Sequence, residues 1–341
     1  MSSANKELST LINKASKELE FSGVIGVKAE DKLIYCSAHG YSNRSDEIMN
    51  TTETRFGIAS GCKLFTSIAI CQLIQNGLLK LDSRLNECLS FEFPHFPPHI
   101  TIHHLLTHTA GIPDYFDEAV MEDFEELWQK NPMYHIKKLT DFLPMFQDKE
   151  MMFKPGERFH YNNAGYILLG LIVEQQSRLE FSEYIDKFIF QPCDMKGSGY
   201  FSLDSLPKNT ALGYIDEADG TWRTNVYSLP IKGGADGGAF ITAADMFKFW
   251  EGLFSNRLLN REYTHVLLQP HISTDAKGNY YGYGIWISKK NGETFKYHIM
   301  GYDPGVSFHS AVYPAHRLTT VISSNESSGP YDIACLIENE L

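Results

Sequence analysis

Apolar residues recur at helical spacing at Leu8, Leu11, Ile12, Ala15 and Leu19, which predicts an N-terminal surface helix packed on a core by one face. The stretch SGVIGVKAEDKLIYCSAHGY then predicts two strands around a polar turn at Glu30 to Lys32. From residue 60 to about 78 the chain is apolar throughout, which predicts a long helix. A helix-rich middle follows in HHLLTHTAGIPDY, EDFEELWQK, AGYILLGLIVEQQS and FSEYIDKFIF. The Gly-rich KGGADGGAF leads into a further helix, TAADMFKFWEGLF, with Thr242 placed to cap its N-terminus. From Tyr281 the pattern turns to strands, in YGYGIWISKK, TFKYHI, GVSFHSAVYP and LTTVISSN, and a last helix starts near Tyr331. Strands at both ends with helices between predict one α/β domain built from the two termini, with a helical domain inserted.

Composition narrows this little further. A chain of 341 residues forms one large domain or two smaller ones. Its net charge of -12 argues against nucleic acid or an anionic membrane as partner. No apolar run reaches membrane-spanning length, and the N-terminus lacks the basic start and apolar centre of a signal peptide, so a cytoplasmic protein is expected. Cys36, Cys62, Cys71, Cys88, Cys193 and Cys335 are scattered as reduced, mostly buried thiols would be.

The candidate chemistry sits where the long apolar helix begins. Ser60 and Lys63 are three apart, hence on one helix face. A serine hydroxyl is a weak nucleophile until a base takes its proton, and a neutral lysine can do so. The same S-x-x-K spacing occurs at Ser3/Lys6 and Ser205/Lys208, but only Ser60 heads an apolar helix directly after a predicted strand. Tyr161 and Asn163, in HYNNAGYILLG, also precede an apolar helix. A phenol can relay protons, and an asparagine side chain can both donate to and accept from a substrate amide. The other Y-x-N, Tyr41 to Asn43, lies in a polar turn.

With these motifs the sequence resembles the serine β-lactamase and penicillin-binding-protein superfamily, in particular its class C-like branch of β-lactamases, D-aminopeptidases, carboxypeptidases and esterases. FGIASGCKLFTSIAICQLIQNGLLKLDSRL is similar to the nucleophile helix, ITIHHLLTHTAGIPDY to the Thr/His-rich loop, KPGERFHYNNAGYILLGLIVE to the tyrosine motif and GGADGGAFITAADMFKFW to the Gly-rich stretch. The resemblance implies an antiparallel sheet from both chain ends, flanked by helices. Residues 1–78 and 271–341 would form the α/β domain and residues 79–270 the helical insertion, with the active site in the cleft between. It implies Ser60 as nucleophile, Lys63 as base, Tyr161 as proton-transfer partner and Asn163 as substrate contact. The third motif departs from the family. In YHIMGYDPGVSFHS, Gly301 and Pro304-Gly305 match, but His298 falls one place early and Ile299 stands at the customary position. Either a bulge restores His298, or the polar group is lost. The amide of Tyr302, after Gly301, would complete an oxyanion hole with that of Ser60.

Other constellations carry less. His104 and His108, with His103 and Asp114 nearby, have the spacing for a metal, but the resemblance makes them a structural loop. GGADGG lacks the Lys-Ser/Thr of a phosphate loop and is expected to let backbone approach backbone. Cys62 is a rival nucleophile that does not share a face with Lys63, and no G-x-S-x-G elbow is present. The expectation is a serine hydrolase forming an acyl-enzyme at Ser60, with no cofactor and no metal. It would act on a small-molecule or peptide amide or ester, D-peptides and β-lactams included. The alternative is a catalytically weak or inactive ligand-binding member of the same fold.

Overall fold

The computed structural model describes residues 3–30, 32–121, 124–275 and 277–341, with side chains from residue 7 onward. Eight strands form the main sheet: β1 (Gly23–Ala29), β2 (Lys32–His39), β3 (Ile272–Ser273), β4 (Asn279–Tyr281), β5 (Trp286–Lys290), β6 (Glu293–Asp303), β7 (Val306–Tyr313) and β8 (Leu318–Ser324). Their order is β2-β1-β8-β7-β6-β5-β4-β3, and every pairing is antiparallel. The sheet therefore joins both ends of the chain, with β1 laid against β8. The turn expected at Glu30 to Lys32 includes residue 31, which lies outside the described residues.

Side-chain alternation divides the core in two. Ala311 and Tyr313 of β7 and Ile322 of β8 point to one face, where they pack with Ile12 of α1 (Ser3–Glu18). Phe308 and Val321 point to the other face, towards α2 (Lys63–Gln75) and α3 (Asn163–Ser177). A helix apolar all round can only be buried, and every residue of α2 from Lys63 to Ile74 is. Helix α4 (Ala243–Phe254) also lies on this sheet face, where Trp250 Nε1 donates to Ser310 Oγ at 2.8 Å. Helix α5 (Pro330–Glu338) closes the first face beside α1, its Ile333 and Ile337 fully buried.

Thr242 caps α4 as expected, accepting from Asp245 N. Leu19 falls just beyond the end of α1 and is exposed. In HHLLTHTAGIPDY only Ile102–Leu106 is helical, because His108 takes a positive φ of 56° and turns the chain away. The helix expected from Glu122 covers residues 122 and 123, outside the described residues, and is seen as Phe124–Lys130. The apolar run from residue 60 is a 3₁₀ turn, Ala59–Cys62, followed by α2. No helix among the described residues is long and apolar enough to cross a membrane.

Candidate active site

The 3₁₀ turn decides how Ser60 meets Lys63. With three residues per turn, positions i and i+3 eclipse, and Lys63 Nζ lies 2.8 Å from Ser60 Oγ. Ala59, just before the serine, sits at φ 43°. A left-handed alanine costs on the order of 1 kcal/mol, the kind of strain that collects at functional turns.

Lys63 is only 1% exposed, and a buried amine needs partners. It has three. Besides Ser60 Oγ, Nζ is 2.8 Å from Asn163 Oδ1 and 2.7 Å from the backbone oxygen of Asp236. A neutral amine donating to those two carbonyl-type oxygens keeps its lone pair for the serine hydroxyl.

The segment before α3 brings the tyrosine motif to the same point. Asn162 caps α3 by accepting from Gly165 N at 2.7 Å. Buried Asp114 accepts from the amides of Asn163 and Ala164 at 2.6 and 2.9 Å, across the helix N-terminus that favours negative charge. Burial nevertheless pushes the Asp114 carboxyl up to about 7. Asn163 Nδ2 donates to Phe116 O and Glu118 Oε1 at 3.2 and 3.3 Å, which fixes its Oδ1 towards Lys63. The Tyr161 ring stands 4.5 Å from that of His108 and 4.9 Å from Lys63 Nζ. Burial and then the Glu118 charge hold its phenol well above the ordinary range, while a hydrogen bond with Ser60 works the other way.

The Gly-rich loop is tied to α2 by its carbonyls. Cys62 Sγ donates to Gly234 O at 3.8 Å, Thr66 Oγ1 to Ala235 O at 2.5 Å, and Lys63 to Asp236 O. Three consecutive buried carbonyls outside any strand are thus satisfied by helix side chains. Burial pushes the Cys62 thiol up to about 12 and so makes it a poor nucleophile.

The third motif is resolved by register. Strands β6 and β7 pair without a break from Tyr297↔Val312 to Asp303↔Val306, so no bulge shifts His298. Ile299, Gly301 and Asp303 share the face towards α2, and Ile299 is buried in that core. His298 points to the opposite face and stacks on His309 at 5.3 Å. Burial holds its imidazole well below the usual range. Of the two alternatives, the polar group is lost: His298, a substrate-binding residue had a bulge restored it, points away from the site, and an apolar side chain takes the customary position. Gly301 abuts the nucleophile turn: a Cβ there would lie 2.2 Å from Ile58 O and 2.8 Å from Ser60 N. Strand β5 ends its pairing opposite His298, so the edge of β6 beyond it is open beside Ser60. The side chain of Tyr302 leans towards α5, whose Tyr331 and Asp332 act on it, leaving only its amide for the site.

The histidines of the Thr/His-rich loop are engaged elsewhere. His103 Nδ1 meets Tyr283 OH at 2.8 Å, His104 Nδ1 accepts from Thr101 N, and His108 Nδ1 accepts from Asn162 N.

The Beta-lactamase family model matches residues 9–337. The chain belongs to that family. This membership makes it a β-lactamase-related serine hydrolase. It is 28% identical to penicillin-binding protein 4* of Bacillus subtilis (strain 168), over 97% of this chain and 74% of that one. It is 52% identical to a penicillin binding protein from Bacillus halodurans of known crystal structure, covering 97% of this chain and all of that one with a TM-score of 0.93. A D-amino acid amidase from Ochrobactrum anthropi SV3, crystallised with L-phenylalanine amide, shares the fold at 20% identity and a TM-score of 0.79, over 99% of this chain and 97% of that one.

Ser60 and Asn163 open on a cavity of about 290 Å³. Phe124, Phe142, Leu203 and Leu229 supply apolar wall. Sequence reasoning missed the acids of this cavity, Glu118, Asp236 and Asp303. Two of them stood inside motifs already singled out, ADGG and YDPG, but neither acid carried a signal of its own.

Proposed function

We propose that the protein hydrolyses amides or esters through an acyl-enzyme at Ser60, in the cleft between an α/β part (residues 1–78 and 271–341) and a helical part (79–270). The observation that carries this reading is the fully partnered Lys63 amine, held 2.8 Å from Ser60 Oγ. Neutral Lys63 takes the hydroxyl proton as Oγ attacks the substrate carbonyl. The amides of Ser60 and Tyr302 receive the oxyanion. As the C–N or C–O bond breaks, the Tyr161 phenol passes a proton to the leaving group and is restored from Lys63. Water, deprotonated by the same groups, then releases the acid and regenerates Ser60. Asn163 holds Lys63 and faces the substrate amide.

Ile299 at the third-motif position cannot pair with a carboxylate, and leaving that charge unpaired in a buried site is costly. Neutral esters and amides are therefore preferred over D-Ala-D-Ala peptides and penicillins. The missing cation also motivates the second reading, a ligand-binding member with little turnover. Intact-protein mass spectrometry after a fluorophosphonate and after penicillin tests both. A fluorophosphonate adduct on the Ser60 peptide, absent in Ser60→Ala, is expected. Adduct formation that persists in Ser60→Ala refutes the assignment, and a stable penicillin adduct without turnover of any ester or amide favours the ligand-binding reading.

A further inference from the structure

The cavity at Ser60 is chemically one-sided. Glu118 from the segment after Tyr115, Asp236 from the Gly-rich loop and Asp303 at the end of β6 all line it. No lysine, arginine or histidine does so among the described residues. The amine just behind it, that of Lys63, is already committed to Ser60, Asn163 and Asp236 O. Asp236 Oδ2 accepts from Tyr115 OH, and Glu118 Oε1 accepts from Asn163 Nδ2. Asp303 differs from both: among the described residues, no hydrogen bond or ion pair reaches its carboxyl. It follows Gly301 by two residues on the same strand face. Its Cα therefore lies about 7 Å along the strand from the glycine that abuts Ser60.

We propose that Asp303 is a specificity residue that receives a substrate ammonium group, so that the preferred acyl donors are amine-bearing amides or esters with an apolar side chain. This rests on the acyl-enzyme reading above and names the substrate class for the same site. Burial and the neighbouring Asp236 and Glu118 charges push the Asp303 carboxyl up to about 8, with Lys63 acting the other way. A carboxyl that has no cationic partner of its own gains one when an ammonium arrives. The apolar wall of Phe124, Phe142 and Leu229 accommodates a side chain such as benzyl, and the lack of a basic lining residue disfavours substrates with a free carboxylate.

The test compares phenylalanine 4-nitroanilide, in both enantiomers, with 3-phenylpropanoyl 4-nitroanilide, which lacks only the amine. In the wild type, the better enantiomer is expected to exceed the deamino compound in kcat/KM by at least about tenfold. In Asp303→Asn that ratio is expected to fall towards one. A wild-type ratio near one, or a ratio unchanged in Asp303→Asn, overturns the proposal. Calorimetric binding of phenylalaninamide and 3-phenylpropanamide to Ser60→Ala, with and without Asp303→Asn, gives the same comparison without turnover. If Ser60 fails to label with fluorophosphonate, the hydrolase reading falls while the binding ratio still decides on the ammonium site.

Discussion

Replacing Gly301 by alanine should separate the nucleophile from the strand beside it. The added carbon would fall 2.2 Å from Ile58 O, 2.8 Å from Ser60 N and 2.9 Å from Gly61 N, all of them backbone atoms that no rotamer change can move. Ordinary contact begins at 3.4 Å, so the turn and β6 must part by about 1 Å at their closest point. Overpacking of this kind costs about 1–3 kcal/mol of stability, equivalent to a melting temperature lower by roughly 1–4 °C in a chain of this size. The effect on chemistry is larger, because misplacing a reacting group by about 1 Å can cost on the order of 10²-fold in rate. Thermal unfolding and kcat/KM for a short-chain nitrophenyl ester read the two effects separately. Gly57→Ala is the control for stability, since its new carbon meets nothing closer than 3.4 Å. Activity within threefold of wild type in Gly301→Ala would show that the serine turn does not depend on this contact.

Lys63→Arg should lose about 10²–10⁴-fold in rate of acylation, because arginine keeps its proton, and Tyr161→Phe should lose activity with the fold intact. Near-normal ester turnover in either variant would remove that residue from the mechanism. Cys62, with its thiol pushed up to about 12, should resist iodoacetamide in the native protein and react only after unfolding, as peptide mapping would show. His309 is 1% exposed, and burial pushes its imidazole down to about 3. Its lowered value means that the neutral ring stabilises the fold fully above the unfolded value near 6.5. That contribution is lost by up to about 1.4 kcal/mol per pH unit as pH falls from there towards 3. Urea midpoints at pH 7.5, 6 and 5 should therefore fall faster for wild type than for His309→Leu, and parallel lines would refute the assignment.

The elements were legible where periodicity was strong. The strands between Tyr281 and Asn325 are rich in β-branched and aromatic residues bounded by turn residues, and Thr242 announced its helix by its capping side chain. The Ser60/Lys63 and Tyr161/Asn163 pairs were legible because each stands at the start of an apolar helix. What local pattern could not show was orientation. His298 and Ile299 are neighbours in the sequence, and only the pairing of β6 with β7 tells which of them faces Ser60. The acids of the cavity were hidden for a related reason, since Glu118, Asp236 and Asp303 come from three distant segments that only the folded chain brings together. Leu19 fitted the helical spacing but lies past the end of α1, where periodicity no longer dictates burial.

The oxygen that Lys63 shares with the Gly-rich loop belongs to the backbone of Asp236. No substitution at that position can delete it, whereas a change at Asn163 removes the other anchor outright. Drift in the loop sequence can therefore alter what the cavity admits while the amine stays where it is. The lineage of this chain is free to try new substrates at Asp236 and its neighbours without first giving up the base.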